Sequence, residues 1–129
     1  MTINLPCKIE CFCSINPSES SSKVKEAVLN IFPNMEIEVT NYSIKAITES
    51  ISALDRIHEV IKRRQSQKTY RRHLLKNQFK NTTWFYLNKQ AAFAKKIALC
   101  EDTEESPLGP IKVVLTSKNI EEVIKWLVN

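Results

Sequence analysis

The chain is short of glycine, of histidine and of long apolar runs. With a single glycine, Gly109, in 129 residues, it cannot build the glycine-rich turns of nucleotide P-loops or dinucleotide fingerprints, each of which needs several. Only two histidines, His58 and His73, titrate near neutrality when unperturbed. Both fall in polar stretches without a nucleophile or carboxylate partner in the pattern, so no catalytic residue is assigned and no small-molecule substrate is expected. No segment approaches the ~20 apolar residues of a membrane span, and the amino terminus lacks the charged-then-apolar order of a secretory signal. These absences lead to the expectation of a soluble, cytoplasmic protein with no membrane partner and no enzymatic activity.

Cysteine is present but not in a pattern that binds metal or needs oxidation. Of the four cysteines, Cys7, Cys11 and Cys13 occupy odd positions of one alternating stretch and Cys100 stands alone. Zinc sites require paired ligands at close spacing, and a chain of this size does not depend on disulfide staples. Reduced thiols are expected, with no metal and no cofactor. The acidic run Glu101, Asp102, Glu104 and Glu105 lacks the alternating spacing and central glycine of a calcium loop and is read as a solvated turn.

At 43% hydrophobic content, the length suits one domain with one core, spanning residues 1–129. Ile3, Leu5, Cys7, Ile9, Cys11, Cys13 and Ile15 alternate with polar residues, which predicts a long strand with one buried face. Pro6 cannot donate to a ladder, so the beginning of that strand is expected at an edge or outside the sheet. Asn16-Pro17-Ser18-Glu19 offers a cap, a first-turn proline and a carboxylate for a helix start, followed by the stripe Val24, Ala27, Val28 and Ile31. Met35, Ile37 and Val39 begin a second strand running on toward Ile47. Ser50 is placed as the cap of a helix with Ile51, Leu54, Ile57, Val60 and Ile61 inward, and Ser66 as the cap of another from Gln67 to about Phe79. Three apolar runs, Trp84 to Leu87, Ala94 to Cys100 and Ile111 to Leu115, predict a meander. Asn119 starts a last helix facing inward through Ile120, Val123, Ile124 and Leu127. The fold class is therefore α+β, a mainly antiparallel sheet with helices on one face, in the order β-α-β-α-α-β-β-β-α.

The net charge is only +5, from 19 basic and 14 acidic residues, but it is regional. Between Lys62 and Lys80 lie eight basic residues and no acidic one. On a helix, Lys68, Arg71, Arg72 and Lys76 share one arc, interrupted by Leu75, while Tyr70 and Leu74 point away. A cationic face without acidic neighbours is what phosphate backbones attract. Arg63, Arg64, Lys68, Arg71, Arg72, Lys76 and Lys80 are the candidate RNA contacts, with Lys89, Lys95 and Lys96 extending the patch. The competing explanation is a solvated helix whose terminal cations meet the negative end of the helix dipole. Trp84, Phe85, Tyr86 and Phe93 form the densest aromatic run; alternation leaves half of them free to stack bases, and either phase fits the pattern. Asn88, Lys89 and Gln90, consecutive polar residues at the expected hairpin bend, are further candidates.

The run Phe85-Tyr86-Leu87-Asn88-Lys89-Gln90-Ala91-Ala92-Phe93, followed by Ser106-Pro107-Leu108-Gly109-Pro110-Ile111, closely resembles the signature of an archaeal family of uncharacterised proteins. That family is labelled RNA-binding, or related to an RNA-binding exosome subunit. The resemblance covers nearly the whole chain and implies a fold similar to the large-subunit ribosomal protein that binds 5S ribosomal RNA. It carries no catalytic residues. RNA is thus the expected partner, contacted through phosphates. The alternative is a non-catalytic homodimeric interaction module that docks an acidic protein partner on the basic helices and uses the aromatic strands as subunit interface.

Overall fold

The computed structural model describes residues 5–101 and 108–129. The expected strand residue Ile3 and the acidic turn at Asp102, Glu104 and Glu105 lie outside the described residues. Along the chain the elements are β1 (Lys8–Ser14), α1 (Ser21–Ile31), β2 (Glu36–Val39), β3 (Ser43–Thr48), α2 (Asp55–Arg63), α3 (Gln67–Lys76), β4 (Thr82–Leu87), α4 (Lys89–Phe93), β5 (Leu99–Cys100), β6 (Ile111–Thr116) and α5 (Ile120–Leu127). One turn of 3₁₀ helix, Ile51–Leu54, leads into α2. The strands form one sheet in the order β2-β3-β1-β6-β4-β5, and each neighbouring pair is antiparallel. The class is α+β, as the sequence predicts.

Period-two alternation makes the sheet two-faced. Ile9, Cys11 and Cys13 of β1 are buried, in register with Ile44 and Ala46 of β3 and with Ile111, Val113 and Leu115 of β6. Phe85 and Leu87 of β4 continue that face. Against it pack Val24, Val28 and Ile31 of α1, Ile57 and Ile61 of α2, Tyr70 and Leu74 of α3, and Val123, Ile124 and Leu127 of α5, all in one hydrophobic core. Burying an aliphatic side chain of this size is worth roughly 1.5–3 kcal/mol, so this face holds the layers together. The phase left open by the aromatic run is settled by the same packing: Phe85 is inward, and Trp84 and Tyr86 are on the opposite face.

Four expectations need correction. Asn16-Pro17-Ser18-Glu19 is a turn, not a helix start; the helix begins at Ser21 behind the N-cap Ser20. In that turn the Glu19 carboxylate accepts from the Asn16 backbone N–H at 2.9 Å and from its side-chain amide at 2.8 Å, so the sequence that looked like a cap closes on itself. The strand begun at Met35 does not run to Ile47 but folds back as the hairpin β2–β3, where Thr40 Oγ1 accepts from the backbone N–H groups of Tyr42 and Ser43. The third helix ends at Lys76, three residues before Phe79. The meander is broken as well: its middle segment supplies only the two-residue β5, and Lys89–Phe93 is helical. Pro6 lies before β1, outside the sheet.

The four cysteines are free thiols, all buried. Burial pushes Cys7 and Cys13 up to about 11, and Cys11 higher still. They behave as small core residues with little nucleophilic thiolate. No helix among the described residues is long and apolar enough to cross a membrane.

Candidate nucleic-acid interface

The basic segment is carried by the end of α2, by α3 and by the turn into β4. Tyr70 and Leu74 anchor α3: the Tyr70 ring meets Phe85 edge-on at 5.9 Å. Buried Thr83 of β4 donates its hydroxyl to the Leu74 carbonyl at 2.6 Å, and Asn77 donates to the Trp84 carbonyl at 2.9 Å. With that face pinned, Lys68, Arg71, Arg72 and Lys76 are all exposed, as are Arg63, Arg64 and Lys80.

They are not equally free. Arg71 donates to the Val128 carbonyl at 3.3 Å, capping the end of α5. Arg72 pairs with Glu101 at 2.8 Å, and His73 Nε2 lies 3.5 Å from the same oxygen. Arg63, Arg64, Lys68, Lys76 and Lys80 pair with no carboxylate among the described residues. Lys80 holds its ammonium 5.4 Å from the ring centre of Phe79. Phe79 is 72% exposed and Leu75 54% exposed, so an aromatic ring and an apolar side chain stand in solvent among cations. Phe79 lies beyond α3, not at the helix end that the sequence predicts, and its place between Lys76 and Lys80 is the sequence signal for an exposed ring among cations.

Arg63 and Arg64 also line a recess of about 240 Å³ together with Arg56, Glu59, Lys95 and Lys96. Arg56 was not singled out in the sequence, because the pattern does not reveal that its side chain is fixed by a 2.6 Å hydrogen bond to the Asn30 carbonyl. Lys95 takes a left-handed backbone, φ 61°. Its N–H bonds the Ala92 carbonyl while that of Lys96 bonds Ala91, which closes the end of α4 in a Schellman arrangement.

Asn88, Lys89 and Gln90 do not form a hairpin bend. Asn88 is the N-cap of α4, and its side chain accepts from the Ala91 N–H at 2.9 Å. Gln90 is exposed. Lys89, expected at the surface, is completely buried. Its ammonium donates to the Ser14 carbonyl at 2.9 Å, to the Leu108 carbonyl at 2.7 Å and to Glu19 Oε1 at 3.1 Å. Asn16 donates to the same Leu108 carbonyl at 2.8 Å. Three donor sites meet three acceptors, so the charge has no capacity left for a phosphate. Burial opposes ionisation of Glu19, but the hydrogen bonds from Asn16 and Lys89 outweigh it and hold the carboxyl below its ordinary range. Gly109 belongs to this knot: its φ is 87°, and a Cβ there would meet Ser14 Oγ at 3.0 Å. The sole glycine therefore stands where a side chain would strain the backbone.

The sheet face away from the helices carries a second group. Phe12 is 37% exposed, Lys45 lies 5.6 Å from its ring centre, and Lys112 lies 4.8 Å from that of Trp84. Trp84 and Tyr86 meet edge-on at 5.2 Å. His58 stacks on Trp126 at 4.4 Å, and burial lowers its pKa, while His73 has a carboxylate neighbour, Glu101, that the sequence pattern does not supply. Among the described residues, no three His, Cys, Asp or Glu side chains converge as metal ligands would.

Comparison with known proteins places this geometry in a family. A family model described as RNA binding matches residues 8–117. A UPF0201 protein of Methanothermobacter thermautotrophicus is 38% identical over 120 residues, covering 93% of this chain and 89% of its own length. One from Sulfurisphaera tokodaii is 37% identical over 117 residues, covering 88% of this chain and 81% of its own. The crystal structure of the UPF0201 protein from Methanococcus jannaschii superimposes with a TM-score of 0.79 at 28% identity, over 95% of this chain and 99% of that one. Matched by the family model over residues 8–117 and by relatives 38% and 37% identical over most of both chains, the chain belongs to the archaeal UPF0201 family, whose family model is described as RNA binding.

Proposed function

We propose that this protein binds structured RNA, without catalysing a reaction on it, through phosphate contacts from the surface formed by the end of α2, α3 and the turn before β4. The observation that carries this is the set of five exposed cations, Arg63, Arg64, Lys68, Lys76 and Lys80, that pair with no carboxylate among the described residues. Arg71 and Arg72 add to the field from positions already engaged in the fold. Phosphate contacts orient a protein on RNA without reading its sequence, so structure in the RNA, not a base motif, is the selected property. Phe79 supplies a ring for an unstacked base beside Lys76 and Lys80. Affinity for a structured RNA, measured across a salt series, falls steeply as salt rises, because neutralised phosphates release counterions; affinity indifferent to salt refutes the proposal.

A second reading is favoured by the open sheet face. On this face Lys112 of β6 stands between Phe12 of β1 and Tyr86 of β4, with Trp84 beside Tyr86 and with Lys45, Glu36 and Glu38 toward the β2 edge; a mixed aromatic and charged face of this kind can pair with a second copy of itself. On this reading the protein is a homodimer through its strands and docks an acidic protein on its basic helices. Sedimentation of the wild type against Phe12→Glu separates the two: a dimer that dissociates on substitution, with charge-reversed helices losing protein partners but retaining RNA, favours the interaction module.

A further inference from the structure

We propose that the recess between α1, α2 and the loop after α4 captures a terminal phosphate monoester of an RNA strand. This rests on the RNA-binding proposal and adds a distinct, localised site to it. Five cationic residues from two separate stretches, Arg56 and Arg63 of α2 with its C-cap Arg64, and Lys95 and Lys96 after α4, line one volume of about 240 Å³ with a single carboxylate, Glu59. Arg63, Arg64, Lys95 and Lys96 pair with no carboxylate among the described residues. The walls are tied to one another: Arg56 donates to the Asn30 carbonyl of α1, and the Asn30 amide donates to the Ala92 carbonyl of α4 at 2.8 Å. Arg56, held in this way, loses less freedom when it engages an anion.

Helix dipoles do not account for the cluster. They explain Arg63 and Arg64 at the end of α2, but Arg56 sits in the first turn of the same helix, where a cation is unfavourable. Lys95 is informative for another reason. Its left-handed backbone, φ 61°, is one that glycine adopts with less strain, yet the residue lining the recess there is a lysine.

Shape and charge together select the ligand. An internal phosphodiester carries one charge and must leave a pocket by two ester arms, which suits a track of cations along a surface. A terminal monoester carries a charge of about −1.5 to −2 at pH 7, has three free oxygens for charge-assisted hydrogen bonds and needs only one way out. A recess lined by five cationic residues fits the second.

Short RNAs of one sequence, bearing a 5′-phosphate, a 3′-phosphate or hydroxyls at both ends, distinguish these cases by fluorescence anisotropy at fixed salt. One phosphorylated end is expected to bind about tenfold or more tightly than the hydroxyl form, the worth of a charge-assisted hydrogen bond. Lys95→Gly is expected to abolish most of that preference while melting no lower than wild type, and Arg64→Gln to reduce it with the fold intact. Inorganic pyrophosphate alone should shift the backbone amide resonances of Lys95 and Lys96. Equal affinity for all three RNAs, with RNA still bound, overturns the terminal-phosphate site and leaves general RNA binding standing. No affinity for any RNA, with no pyrophosphate shift, overturns both.

Discussion

Lys89 and Lys95 lie at the two ends of the same short helix, and their surroundings are opposite. Lys89 is completely buried, and its ammonium meets two carbonyls and the Glu19 carboxylate. Lys95 is exposed, in a left-handed backbone, and lines a recess with four other cations and one carboxylate, Glu59, while forming no ion pair among the described residues. A buried charge is retained only when its partners are complete, so Lys89 belongs to the architecture. An exposed charge surrounded by like charges destabilises slightly and is available to an outside anion. Function in this molecule is to be sought in the cations whose surroundings leave them unmatched.

The contrast can be broken most directly at Lys89. Lys89→Met removes the cation beside Glu19, whose side chain is only 6% exposed and keeps only its Asn16 donors; loss of one member of a buried pair costs about 3–5 kcal/mol. Urea denaturation should report that loss, and the double variant with Glu19→Gln should recover part of it. If Lys89→Met is as stable as wild type, the knot is not structural. At the opposite pole, the triple variant Arg63→Glu, Lys68→Glu, Lys76→Glu should lower RNA affinity by two orders of magnitude or more, at roughly 1 kcal/mol per reversed contact. Its thermal unfolding should be nearly unchanged, since surface substitutions usually stay within about 0.5 kcal/mol each.

Acid should act on one region and not the other. The Glu19 carboxyl is held below its ordinary value of 4.5, so its contribution is complete above that pH and is lost as pH falls through the lower folded-state value. The stability advantage of wild type over Glu19→Gln should therefore be full at neutral pH and shrink in acid below 4.5; an advantage that grows on acidification contradicts the assignment. The smallest effect is expected at Arg72. Its pair with Glu101 leaves the two side chains 66% and 52% exposed, and such pairs contribute between 0 and about 1 kcal/mol. Arg72→Gln should move the denaturation midpoint little and restore no RNA affinity to the triple variant.

Regular periodicity carried much of the fold on its face. The alternation of Ile9, Cys11 and Cys13, and the stripes Ile57–Ile61, Tyr70–Leu74 and Val123–Ile124–Leu127, are all core, because a two-faced strand or helix has one way to bury its apolar side. The turn at Thr40–Tyr42 has no glycine or proline to mark it, because the Thr40 hydroxyl oxygen shapes it by accepting from the Tyr42 and Ser43 N–H groups. Lys89 was hidden because its acceptors lie 75, 70 and 19 positions away along the chain, and no local pattern contains them. In the candidate site, exposure of the basic segment followed from Tyr70 and Leu74, whereas the meeting of Arg63 and Arg64 with Lys95 and Lys96 needed the tertiary structure.

The same long spans have a consequence in time. The knot around Lys89 joins residues that border β1, α1, α4 and β6, so it can close only after nearly the whole chain is in place. Contacts of that kind form late on the folding route, and late contacts govern the rate of opening more than the rate of folding. Lys89 is thus a latch: weakening it shortens the lifetime of the folded molecule, and with it the time that the cationic surface persists between unfolding events.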